Sequence, residues 1–208
     1  NLAPINKIKI IPSTGLDIKN LKFSNKFKKQ PKYIDFISRM LAEKGFYKFI
    51  LIREYLLNFD NDFAKENPFR IITPKSDIDK LTDKEVDYIN NIGIKILPYI
   101  QNPLNYYKES KTIILATNYG EGLSRVLLES IYLEIPILVS RNAGTEEILP
   151  FDYKYFLLSQ NPAVISSQLI NINLDKEYFK KVFQIQKSLI RKFYLTGNSV
   201  NVFNSILK

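Results

Sequence analysis

Neither cysteine nor histidine occurs among the 208 residues. Disulfides, thiolate nucleophiles, Cys/His zinc sites and histidine general bases are therefore excluded from this chain. No run of about 18 apolar residues is present, so no membrane-spanning helix is expected. Asn1 to Asn6 has neither the basic nor the apolar region of a signal peptide. Together with the lack of disulfides, this fits the cytoplasm. Internal repeats and low-complexity tracts are absent, and no Pro/Gly/Ser linker divides the chain, so it reads as one domain. Negative charge is in the minority: 21 Asp+Glu stand against 30 Lys+Arg, a net +9. Such an excess suits phosphorylated ligands, nucleic acid or an anionic membrane surface. The basic runs are short and scattered, as at Lys26-Phe27-Lys28-Lys29, and no compact nucleic-acid-binding motif accompanies them. There is no initiator Met and a strand begins almost at once, so the chain reads as a piece of a longer one.

What is present is an alternation. Apolar runs of strand length lie at Ile8 to Ile11, Tyr33 to Ile37, Phe69 to Ile72, Ile94 to Leu97, Thr112 to Ala116 and Ile137 to Val139. Each is short and mostly apolar on both faces, as a parallel sheet covered on both sides requires. Helical patterns separate them at Phe46 to Asn58, Ile78 to Asn91 and Leu123 to Leu133. The order predicts an α/β fold, a parallel sheet with right-handed crossovers and flanking helices. After Pro150, Tyr153 to Leu158 is expected to add an edge strand. Helices are expected at Val164 to Ile170, Lys176 to Tyr194 and Ser199 to Leu207, making a helical C-terminal end.

In open α/β sheets, ligands bind beyond the carboxyl ends of the strands. Three strands run directly into unusual polar loops. Tyr33 to Ile37 leads into Ser38 to Gly45, where Arg39 and Lys44 flank a turn before a helix. Two cations beside a helix start can cradle a diphosphate; the alternative is a solvated loop. Thr112 to Ala116 leads into Thr117-Asn118-Tyr119-Gly120-Glu121-Gly122, whose glycines allow close backbone approach and whose helix start offers N–H groups. Glu129 follows Glu121 by eight residues, in a helix apolar nearly all round. A carboxylate buried there needs partners. Arg125 at i−4 is one candidate and ligand hydroxyls are another. Ile137 to Val139 leads into Ser140 to Glu147, where Thr145 reads as the cap of a helix starting near Glu146.

These segments resemble the retaining glycosyltransferases of family 4, or group 1, which have the GT-B fold. Glu121-Gly122-Leu123-Ser124-Arg125-Val126-Leu127-Leu128-Glu129 is similar to that family's Glu-x7-Glu motif, and the similarity continues through Pro136 to Gly144 and Glu147. Ser38-Arg39 with Glu43-Lys44-Gly45 resembles its Gly-Arg…Glu-Lys-Gly segment, and Ile11 to Asp17 resembles its hinge-side loop. The resemblance implies that residues 1–208 form the Rossmann-like C-terminal, donor-binding domain, and that an N-terminal acceptor domain lies outside this sequence. It implies that Arg39 and Lys44 hold the donor diphosphate and serve catalysis with Glu121, which faces the transferred sugar. The backbone at Gly122, Leu123 and Ser124 would assist, Glu129 would bind the ribose, and the base would lie near Tyr99 and Ile100. It further implies a nucleotide-diphosphate sugar as donor, retention of configuration, no metal and no cofactor, because the cations neutralise the leaving diphosphate. Surface-glycan synthesis at the inner face of the membrane is the implied setting, with any peripheral membrane association made through the missing domain. Ser38, Ser124 and Glu134 depart from the family's usual glycine or proline, and Thr73-Pro74-Lys75-Ser76 replaces a Gly-rich turn. Three alternatives stay open: a nucleotide-binding module without transfer activity, a sugar-nucleotide epimerase of the same fold, and a metal-dependent transferase using Asp60-Asn61-Asp62.

Overall fold

The computed structural model describes residues 15–18, 21, 31–99, 104–118, 120, 122–172, 174–198 and 200–201. Among these residues five strands form one parallel sheet: β1 (Tyr33–Ile37), β2 (Phe69–Thr73), β3 (Ile94–Pro98), β4 (Ser110–Leu115) and β5 (Ile137–Val139), in the order β3-β2-β1-β4-β5. The strand order reverses between β1 and β4, where adjacent crossovers leave in opposite directions and open a crevice. The strand expected at Ile8 to Ile11 lies outside the described residues.

The strands form where expected because their side chains have nowhere apolar to go but inward. Ile34, Phe69, Ile71, Ile72, Ile113, Ile114 and Ile137 are fully buried between the helical layers. Two charged strand residues are buried, and they break the apolar pattern together. Asp35 of β1 and Arg70 of β2 are register partners. Arg70 donates through Nε and Nη2 to the two Asp35 oxygens at 2.8 and 2.9 Å, and through Nη1 to Glu109 at 2.8 Å. Ser110 Oγ also donates to Asp35. Burial opposes the Arg70 charge, but its bonds to Asp35 and Glu109 outweigh this and raise its pKa.

The helices are α1 (Phe46–Phe59), α2 (Asn61–Glu66), α3 (Lys75–Ile78), α4 (Asp83–Asn91), α5 (Leu104–Tyr107), α6 (Arg125–Tyr132), α7 (Ala143–Glu146), α8 (Pro162–Ile172) and α9 (Lys176–Phe193). The single helix expected over Ile78 to Asn91 is two, because Thr82 and Glu85 form a capping box that starts α4 afresh. Asn61 to Glu66 is helical: Asp60 accepts from the Phe63 amide and Ala64 is fully buried. The expected edge strand at Tyr153 to Leu158 reduces to one parallel bridge between Val139 and Phe156. Glu134 ends the turn after α6 with φ 57, a left-handed position that favours glycine. Lys187 of α9 pairs with it at 2.5 Å.

Candidate functional site

All five strands deliver residues to one cleft at their carboxyl ends. It measures about 670 Å³ and is walled by residues that follow each strand. Ser38 and Arg39 come after β1, Pro74 after β2, Tyr99 after β3, Thr117 and Gly120 after β4, and Asn142 after β5. Lys44, Gly122, Leu123, Ser124 and Arg125 complete the wall. The sequence-derived group Arg39, Lys44, Tyr99, Gly122, Leu123 and Ser124 is therefore brought together. Glu121 and Ile100 lie outside the described residues, and nothing structural is said of them.

The wall is cationic. Arg39, Lys44 and Arg125 line it, and no carboxylate does so among the described residues. Arg39 is anchored from behind by Asp77, a buried residue at the start of α3, at 3.4 Å. Asp77 also accepts from the Met40 amide at 3.1 Å. Burial alone would raise the Asp77 carboxyl, but the hydrogen bonds from Arg39 and Met40 overcome it and hold the group below its ordinary value. Asp77 directly follows Thr73-Pro74-Lys75-Ser76, the segment that departs from the expected Gly-rich turn, and it orients the cleft's arginine.

The loop after β1 and the loop after β4 are tied together. The Glu43 carbonyl accepts from the Asn118 amide at 2.7 Å and from Thr117 Oγ1 at 3.0 Å. Lys48 of α1 donates to Asn118 Oδ1 at 2.7 Å and to the Ala116 carbonyl at 3.3 Å. Burial lowers the Lys48 pKa. On the open side, a Cβ built at Gly120 or Gly122 would meet no atom of the described residues within 4 Å. At the start of α6, Ser124 makes no side-chain cap hydrogen bond. Charge and backbone donors thus meet at one place, the arrangement that favours an anion.

Glu129 is buried one layer behind this wall, 1% exposed. Arg125 Nε donates to one of its oxygens at 2.9 Å and Tyr107 OH donates to the other at 2.5 Å. Burial and the neighbouring Glu129 push the Tyr107 phenol well up, so it stays protonated and donating. The Arg125 partner was legible from the i, i+4 spacing, whereas Tyr107 is 22 residues away in sequence and was not. Tyr107→Phe should leave one oxygen of a buried carboxylate short of its donor, a loss of about 1–3 kcal/mol. Urea unfolding measures it, and an unchanged midpoint would mean that solvent replaces the phenol.

At the third loop Asn142, not Thr145, caps the helix. Asn142 Oδ1 accepts from the Thr145 amide at 3.0 Å, and Thr145 Oγ1 accepts from the Asn142 amide at 2.9 Å. The Asp60-Asn61-Asp62 triplet lies at the cap and first turn of α2, away from the strand ends that form the cleft. No helix among the described residues is long and apolar enough to cross a membrane.

Residues 17–185 match the family described as Glycosyl transferases group 1. No curated protein matches the sequence. Among solved structures, a glycosyltransferase from Rickettsia africae ESF-5 superposes with a TM-score of 0.67 at 17% identity, covering 87% of this chain and 49% of that one. Anabaena HepE in complex with UDP and glucose gives 0.69 at 13% identity, covering 93% and 55%. The C-terminal domain of a group 1 family protein, LpcC, from Francisella tularensis gives 0.63 at 17% identity, covering 87% and 99%. The chain thus spans about half the length of the first two. The shared architecture is the Rossmann-like C-terminal half of a GT-B fold.

Proposed function

The chain belongs to the group 1 glycosyl transferases, and we propose that it forms the donor side of such an enzyme, binding a nucleoside-diphosphate sugar in the cleft at the strand ends. The observation that carries this is the meeting of Arg39, Lys44 and the start of α6 in one cleft that no described carboxylate enters. The two cations would hold the diphosphate and stabilise the negative charge that develops as the sugar–phosphate bond breaks. This assigns charge neutralisation to side chains rather than to a metal ion. Glu121 would face the transferred sugar, with retention of configuration, and the base would lie beside Tyr99. Among the described residues each Glu129 oxygen accepts one bond, and a carboxylate oxygen can accept two, so a ribose hydroxyl can still be received. Anabaena HepE, which shares the fold, was solved with UDP and with UDP-glucose, which supports a sugar nucleotide as the ligand class. The acceptor would be a glycan or lipid-linked sugar of a surface polysaccharide. It would be held by a second, N-terminal domain on the cytoplasmic side, which would also supply any association with the membrane surface. These 208 residues alone would then bind donor without transferring sugar.

Isothermal calorimetry with UDP and GDP tests the reading. One of the two should bind more tightly than its nucleoside, and Arg39→Ala and Lys44→Ala should each weaken it by about 1.5–3 kcal/mol, roughly 10- to 100-fold. Unchanged affinity in both variants would remove the phosphate site. Glu129→Gln should weaken the ribonucleotide and not its 2′,3′-dideoxy analogue. Equal binding of the two nucleotides by the unaltered chain would leave Glu129 a purely structural partner of Arg125.

A further inference from the structure

Beside the main cleft, between the ends of β4 and β5, lies a second recess of about 350 Å³. Its walls include Asn118, Ser140, Leu157 and Gln160, and it shares Thr117, Gly120 and Asn142 with the main cleft. Its chemistry differs. The polar side chains are hydroxyls and amides, and no carboxylate lines it among the described residues. The one cation among the described lining residues is already committed: Arg141 bonds Glu146 and the Phe151 carbonyl and stacks over the Phe151 and Phe156 rings. A neutral ligand rich in hydroxyls suits such a lining better than an ion of either sign.

Two buried polar atoms of this lining have no hydrogen-bond partner among the described residues. Asn142 spends its Oδ1 on the Thr145 amide, which fixes the side chain and leaves Nδ2 buried and unbonded. Ser140 Oγ is in the same condition, on a residue 8% exposed. Buried donors left unmade are costly, so such atoms mark a place where something else is received.

Position supplies the rest. Tyr99 follows β3 at one end of the sheet, Arg39 follows β1 at the middle, and Asn142 follows β5 at the other end. At about 4.8 Å per strand, β3 and β5 are roughly 19 Å apart, a span that suits an extended nucleotide sugar. Base beside Tyr99 and diphosphate between Arg39 and Lys44 put the sugar next, toward β5. Resting on the donor-binding reading above, we propose that this recess receives hydroxyl groups of the donor sugar, with Asn142 Nδ2 and Ser140 Oγ selecting which sugar is accepted.

The test compares each sugar nucleotide with its own diphosphate: UDP-glucose and UDP-N-acetylglucosamine with UDP, and GDP-mannose with GDP. Asn142→Ser keeps a neutral helix cap and removes only the amide donor. For the preferred pair, the affinity of the sugar nucleotide relative to its diphosphate should fall roughly 3- to 10-fold in Asn142→Ser. The affinity for the diphosphate itself should stay within about twofold. In saturation-transfer NMR, sugar-ring protons should be saturated by the unaltered chain and lose intensity against base protons in the variant. Ser140→Ala should act the same way and serves if the serine variant fails to fold. A relative affinity that does not move means that the recess holds water only, and the proposal falls. Equal losses for diphosphate and sugar nucleotide would place Asn142 on the phosphate instead, and the proposal falls equally. If the unaltered chain binds no diphosphate at all, the donor reading fails and takes the recess with it; if diphosphates bind and the ratio is constant, only the recess is lost.

Discussion

Arg70→Met is expected to destabilise the fold by about 3–5 kcal/mol, enough to leave a domain of ordinary stability marginal. The guanidinium is 2% exposed and its Asp35 partner fully buried. It bonds both Asp35 oxygens, Glu109 and the Tyr106 carbonyl, and lies 4.2 Å from the Tyr33 ring centroid. Methionine fills much of the volume but supplies no donor, so Asp35 keeps only its bond from Ser110. The loss comes chiefly from this stranded carboxylate, not from the value of the pair itself. Hence Asp35→Asn combined with Arg70→Met should recover most of the stability, because a neutral amide is far less costly to bury. The pH dependence has a definite sign. Burial already pushes the Asp35 carboxyl up, and removing its cation pushes it further, so the folded variant binds more protons than the unfolded chain. Its stability deficit should therefore shrink as pH falls from neutral. Urea titrations of the single and double variants at several pH values measure all three effects. A deficit independent of pH would show that Asp35 is not the stranded group.

How far the sequence announces this structure depends on the range of the contact. β1 and β5 fall on Tyr33 to Ile37, where four of five positions are apolar, and on Ile137 to Val139, where all three are. Arg39, Lys44 and Gly122 to Ser124 could be placed at one edge because every strand of a parallel sheet ends on the same side, whatever the pairing order. That logic says nothing of what stands behind the cleft. Asp77 reaches Arg39 across 38 positions, and Tyr107 reaches Glu129 across 22; neither has a spacing to betray it. Asp35 and Arg70 sat in runs read as apolar, and only the β1–β2 register makes them neighbours. Other features were written locally and were readable. Thr82 followed by Glu85 is a capping box, and it divides α3 from α4. The Asn142–Thr145 box obeys the same three-residue spacing, with Asn142 in place of the expected Thr145 as the cap. Glu134 stands where the family resemblance puts a glycine, and its positive φ shows that the backbone there kept the glycine conformation.

Gly45→Ala should cost stability and donor affinity together, which few single methyl groups can do. Gly45 sits between the turn that carries Lys44 and the start of α1, at φ +83. Alanine in that left-handed conformation costs about 1–2 kcal/mol. The added Cβ would also meet backbone: it would stand 2.8 Å from the Ala116 carbonyl carbon and closer still to its oxygen. Neither group can rotate aside as a side chain would, so the loops after β1 and β4 must separate. Overpacking of this kind costs about 1–3 kcal/mol, which brings the expected loss to about 2–5 kcal/mol. Separation would also strain the bonds from Asn118 and Thr117 to the Glu43 carbonyl. Lys44 and the walls at Thr117 and Gly120 would then move apart, and the diphosphate would lose its simultaneous contacts with both. Gly122→Ala is the control, since a Cβ there meets nothing among the described residues within 4 Å. It should leave the unfolding midpoint nearly unchanged and weaken donor binding only by crowding the ligand. Denaturant unfolding and UDP or GDP calorimetry on the two variants separate the cases. If Gly45→Ala unfolds at the same midpoint as the unaltered chain, the close approach of Gly45 to Ala116 does not hold the two loops together.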